Sequence, residues 1–299
     1  MSSGVESVLA ALSRVLGEEN LAIASMHQAS GGCINQAAYV ELADGRSFFI
    51  KSNRDADALF EAEALGLERL ASHGPLRTPQ VIGISRSSED AAGSSSYLIL
   101  EHISSGQPSP KSWQRLGGLL AEQHRSTEDA YGFGSDSFIG ATPQQNSWCS
   151  SWPEFFWQQR LEFQIQLADR KGLASGELLQ LGRKLCDEID THLTTQDPPS
   201  LLHGDLWSGN VLFDSDCQPV IIDPAAYYGH REAELALPSL FGGFPTEFWD
   251  SYQRTWPLPS GWQKRLEIYK LYHLLNHLNL FGGSYADQCI IALRQILRS

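Results

Sequence analysis

The sequence predicts an α+β chain in two lobes, a small one built on antiparallel strands and a larger, mainly helical one. Strand-turn-strand patterning dominates up to Ile103, helical spacing dominates after 110, and a Ser/Gly/Pro-rich connector, Ser104 to Pro110, lies between them. The lobes are therefore placed at 1–103 and 104–299. With about 150 residues per domain as a guide, 299 residues suit two folding units.

Val5, Val8, Leu9, Leu12, Val15 and Leu16 follow helical spacing. Glu6, Glu18 and Glu19 accompany them without a basic lead-in, so the segment reads as a packed helix and not a leader peptide. Ala37 to Leu42, a turn at Asp44-Gly45 and Ser47 to Lys51 read as a hairpin. Asp55 to Ala71 reads as a helix whose buried stripe is Ala56, Phe60, Glu63, Leu67 and Leu70. A carboxylate in an apolar stripe is costly without a partner, and Lys51 at the end of the preceding strand is the candidate cation. Gln80 to Ser85 and Tyr97 to Ile103 complete the small lobe. Beyond the connector, helices are expected at about Trp113 to His124, Trp152 to Asp169, Glu177 to Leu193, and several times after Arg231. A single hairpin, with arms Val211 to Phe213 and Val220 to Ile222, interrupts them.

Lys and Arg total 22 against 35 Asp and Glu, a formal charge of −13 that opposes nucleic acid or an anionic membrane as partner. Composition, at 42% hydrophobic and 19% charged, is that of a soluble globular protein, and no apolar run is long enough to span a bilayer. The five cysteines, Cys33, Cys149, Cys186, Cys217 and Cys289, are scattered and include no C-x-x-C pair, which points to a reducing cytoplasm.

The most informative segment is His203-Gly204-Asp205-Leu206-Trp207-Ser208-Gly209-Asn210, followed after the short hairpin by Asp223-Pro224. Phosphoryl transfer needs a carboxylate at the acceptor hydroxyl, oxygen ligands for the Mg²⁺ that bridges the ATP phosphates, and a lysine on those phosphates. Asp205 fits the first need and Lys51 with Glu63 the last. Asn210 and Asp223 supply the hard oxygens, and the hairpin explains their separation by returning Asp223 beside Asn210. Backbone amides of Ser30-Gly31-Gly32-Cys33-Ile34-Asn35 are placed to cover the phosphates, and the main chain of Glu101-His102-Ile103 to meet an adenine edge.

These residues, with Tyr227-Tyr228-Gly229-His230-Arg231-Glu232-Ala233 and the run from Leu271 to Gly282, make the chain resemble the fructosamine kinase (ketosamine 3-kinase) family. That family shares the protein-kinase-like fold with aminoglycoside and choline kinases. The resemblance implies ATP-dependent phosphorylation of the sugar 3-hydroxyl of a ketosamine, free or on a glycated protein, after which the adduct decomposes. It implies Asp205 as proton acceptor, Asn210 and Asp223 as metal ligands, and Lys51 with Glu63 as the phosphate clamp. Glu234 stands where an aspartate is expected and His102 where an aromatic is common. The rival readings are an aminoglycoside- or choline-type kinase and a nonenzymatic ATP-binding regulator. Asp223 passes almost directly into the Arg231 to Leu237 helical run, which leaves no room for a long activation loop and disfavours a protein kinase.

Trp207 is either a wall for the sugar or its carrier, or packing for the loop. Trp148, Trp152, Phe155, Phe156 and Trp157 read first as core. His273 and His277, four apart but without the glutamate of an H-E-x-x-H pattern, read as helix polarity or cleft lining. Arg231 either neutralises phosphate or pairs with Glu234. Cys33, amid phosphate-binding amides, is a candidate for oxidation. Peroxide should inhibit the wild type and spare Cys33→Ser, and equal inhibition of both would remove Cys33 from that role.

Overall fold

The computed structural model describes residues 3–29, 35–89, 95–193, 197–240 and 243–298. The small lobe begins with α1 (Ser3–Leu16), whose Val8, Ala11 and Leu12 are buried, as the helical spacing requires. Next come β1 (Ile23–Gln28), β2 (Gln36–Leu42) and β3 (Ser47–Arg54), then α2 (Asp57–His73), β4 (Val81–Ser85) and β5 (Ser95–Glu101). The five strands form one antiparallel sheet in the order β1-β2-β3-β5-β4. Strand β1 carries a weak signal, half-buried along much of its length, and its pairing with β2 rather than its own patterning defines it. Helix α2 buries Ala56, just before its first turn, and Phe60, Glu63, Leu67 and Leu70, while Glu61 and Glu68 are exposed.

The large lobe opens with α3 (Pro110–Gln123), started by a reciprocal Ser109/Ser112 capping box with Pro110 in the first turn. There follow β6 (Ser137–Ile139), β7 (Thr142–Gln144), α4 (Trp152–Phe156), a π-helical turn over Trp157–Glu162, α5 (Phe163–Arg170) and α6 (Gly176–His192). Then come β8 (Ser200–Leu202), a 3₁₀ turn at Ser208–Asn210, β9 (Val211–Phe213), β10 (Pro219–Ile221) and β11 (Tyr227–Gly229). The lobe closes with α7 (Arg231–Glu234), α8 (Thr246–Thr255), α9 (Trp262–Phe281) and α10 (Tyr285–Ile296). The expectation of one hairpin here is corrected. Besides β9–β10, β6 pairs with β7 and β8 with β11, each through three-residue strands. The helix expected over Trp152 to Asp169 runs through the π turn as α4 and α5.

The two lobes are fastened behind the cleft. Arg77 donates to Glu101 of β5 at 2.5 Å and to Asp214 at 2.7 Å, and Ile221 N–H bonds Arg77 O at 2.9 Å. In the connector, Gly106 N–H bonds Phe213 O, and a Cβ at 106 would lie 2.1 Å from Asp214 O. Only glycine permits that approach. Gly106→Ala should therefore lower stability by about 1–3 kcal/mol, the usual cost of overpacking. A denaturant midpoint matching wild type would refute the close contact.

Candidate active site

Lys51 leaves β3 at a register position between Ala37 and Leu98, and its side chain is 7% exposed. Its Nζ lies 2.7 Å from Glu63 Oε1 and 2.6 Å from Asp223 Oδ1, so one ammonium joins β3, α2 and the segment after β10. Burial alone would depress the Lys51 pKa, but the two carboxylates outweigh it and hold the ammonium charged. Burial pushes Glu63 up, against the pull of Lys51. The pairing expected from the α2 stripe is thus present, with Asp223 as a second partner.

Asp223 has φ +58°, the left-handed region that a non-glycine residue enters at a cost. Its neighbours hold it there. Ile222 N–H bonds Asn210 O at 3.0 Å and Ala225 N–H bonds His203 O at 2.9 Å, tying the segment to the 203–210 loop on both sides. His203 is buried, which keeps its imidazole neutral. Its Nδ1 accepts from Asp205 N–H at 3.3 Å, so Nε2 carries the proton and donates to Ile222 O at 2.8 Å. Gly204, at φ +84°, turns the chain where a Cβ would meet Ala225 O at 2.1 Å.

Glu234 anchors this loop from below. Its buried carboxylate accepts the N–H groups of His203 (2.5 Å) and Gly204 (3.1 Å). The sequence marked Glu234 as a departure and as a candidate partner for Arg231; its actual partners are main-chain amides, which no side-chain pattern shows. Arg231 does neither thing expected of it. It is buried away from the cleft, bonds Asp197 at 2.7 Å and the Trp256 and Pro257 carbonyls, and stacks on Trp256.

Asn210 Nδ2 donates to Asp205 O at 2.8 Å and to Asp205 Oδ2 at 3.1 Å, which turns the amide oxygen away from that carboxylate. Burial, with Asp223 nearby, pushes the Asp205 pKa up to about 8, opposed by the Asn210 bond. The Asp223 side chain remains 43% exposed. An amide oxygen and a half-exposed carboxylate on adjoining segments are hard donors that fit magnesium carried with phosphates.

A cavity of about 570 Å³ joins these groups. Lys51, Glu63, Asp205, Asn210 and Asp223 line it, as do Asn35, Glu101, Ile103, Trp207, Phe138 and Gly140. His102 is off the lining, with its ring against Tyr39 and Nδ1 near Ser47. Gly31, Gly32 and Cys33 lie outside the described residues. Trp207 is 42% exposed and its indole lies over Gly209 of its own loop. Trp152, Phe155 and Phe156 are core, whereas Trp148 is exposed beside Tyr228. His273 is buried, and His277 Nδ1 bonds its carbonyl at 2.7 Å.

The fructosamine kinase family model matches residues 5–299. The chain belongs to the fructosamine kinase family. It is 42% identical to the "probable ketoamine kinase" of Synechocystis sp. over 90% of this chain and 89% of that one. It is 40% identical to the chloroplastic protein-ribulosamine 3-kinase of Arabidopsis thaliana, over 92% and 83%. A solved structure from Haemophilus somnus, named as a candidate fructosamine-3-kinase, superposes with TM-score 0.86 at 30% identity, covering 98% of this chain and 99% of that chain. The choline kinase of Streptococcus pneumoniae, at TM-score 0.61 and 15% identity over 99% of this chain and all of that one, shares the fold. The fold is protein-kinase-like, as the sequence predicts.

Glu234→Ala would orphan two buried N–H groups, each worth about 1–3 kcal/mol. Chemical denaturation should show that loss, and a smaller one for Glu234→Asp, which keeps a carboxylate. Equal stability of Glu234→Ala and wild type would show that the loop does not hang from this side chain.

Proposed function

We infer that this protein is an ATP-dependent ketosamine 3-kinase that phosphorylates sugar-amine adducts, including those carried on protein lysines. The observation that carries the reading is the meeting, in one cleft, of the Lys51–Glu63–Asp223 cluster with the Asp205–Asn210 pair. The names of its relatives supply the acceptor class. An aminoglycoside- or choline-type reading draws only on the shared fold, since the spectinomycin phosphotransferase and choline kinase structures are 14% and 15% identical to this chain.

In this reading the main chain at Glu101 to Ile103 meets the adenine edge, and the 31–32 glycines cover the phosphates. Lys51, oriented by Glu63, places its ammonium on the phosphates. Asn210 and Asp223 would hold magnesium, whose charge would stabilise the transferring phosphates and offset the Asp223 carboxylate beside Asp205. Asp205 orients the 3-hydroxyl and takes its proton as that oxygen bonds the γ-phosphorus and the bond to the ADP oxygen breaks. His203 and Glu234 hold the loop in place and take no proton. Trp207, on the rim, offers an apolar face to the sugar or its carrier. The scattered cysteines support a reducing, cytoplasmic setting.

ADP release should be seen with ribulosyl- or fructosyl-amines and not with kanamycin or choline. Asp205→Asn should lower turnover by about 10²- to 10⁴-fold with ATP binding nearly intact. Turnover equal to wild type would remove Asp205 from its role, and phosphorylation of kanamycin or choline alone would replace the ketosamine reading.

A further inference from the structure

Phe138 and Gly140 line the same cavity as Asp205 and Trp207, and none of the kinase roles above uses them. The β6–β7 hairpin that carries them packs on α2 and is fastened to Ala225, two residues beyond Asp223.

Strand alternation sets what this hairpin presents. Ser137 and Ile139 are buried, and Phe138 between them is half-buried and lines the cavity with Asp205 and Trp207. Gly140, at φ +62°, opens a two-residue turn between Ile139 and Thr142. A ladder of three residues does not fix its own position. Side chains from elsewhere do so. Gln144 Nε2 donates to Ser137 Oγ and to Ala225 O, both at 2.9 Å, while Tyr272 O–H donates to Gln144 Oε1 at 2.7 Å. Asn146 donates to Ser135 O and Ser137 Oγ at 3.1 Å, and Arg160 in turn donates to Asn146 Oδ1 at 2.7 Å and Gln145 O at 2.5 Å. Arg160 is fully buried in the π-helical turn and stacks 4.1 Å from the Tyr227 ring centre. Such turns are rare and recur at functional sites. So many buried polar anchors on so short a strand pair hold one aromatic side chain at a set place in the cleft.

Resting on the ketosamine kinase reading, we propose that the β6–β7 hairpin is the acceptor-specificity element of this enzyme. Phe138 is the wall against which the carbon chain of the sugar-amine packs, and its position decides which sugar length brings its hydroxyl to Asp205. Pockets of this kind combine apolar walls with a few fixed polar groups, and discriminate by fit at the wall.

The test is steady-state kinetics of wild type, Phe138→Ala and Phe138→Tyr on ribulosyl-lysine and fructosyl-lysine, with the KM for ATP and the melting temperature measured alongside. Phe138→Ala should raise the ketosamine KM by roughly tenfold and alter the ratio of kcat/KM between the two adducts. The KM for ATP should stay within about twofold, and Phe138→Tyr should restore the wild-type preference. An unchanged adduct ratio in a folded Phe138→Ala, or ketosamine and ATP constants rising in step, overturns the proposal while the kinase reading stands. A wild type inactive on both adducts overturns the two together.

Discussion

One buried ammonium organises the cleft. Lys51 meets Glu63 from α2 and Asp223 from the large lobe, so a single side chain from the sheet fixes both the helix behind it and the strand exit across from it. Charges taken out of water repay their desolvation only when the geometry is close and every partner is present, and removing one strands the others. The cluster is therefore a device for position more than for stability. Asp223 nonetheless remains half-exposed, with one oxygen engaged by Lys51.

The loop that faces this cluster is held by main-chain contacts. Glu234 takes two of its amides, Ala225 and Ile222 engage it from the side, and neutral His203 spans the gap with one nitrogen accepting and the other donating. Nothing in that support carries a formal positive charge, so the Asp205 carboxyl meets burial and a nearby carboxylate, which raise its pKa.

Much of this was legible in the residues. Glu63 stood out because a carboxylate in an apolar helical stripe demands a cation, and Lys51 lay at the end of the preceding strand. Asp205, Asn210 and Asp223 stood out because their chemistry and spacing match one reaction. What escaped was of two kinds. Strands β6, β7, β8 and β11 are short and are defined by the partner each pairs with. Glu234, Gln144 and Arg160 work by bonding backbone or amide groups from distant segments, and a sequence does not display which carbonyl lies above which side chain. Arg231 stayed unassigned for a related reason, since its partner Asp197 lies 34 residues earlier in the chain.

The cleft encloses about 570 Å³ between lobes that Arg77 clasps from the rear. A nucleotide and one sugar fill such a space, and a folded macromolecule stays outside it. Any acceptor must therefore present its sugar on a stem long enough to enter the cleft, and a sugar held flush with a larger body stays out of reach.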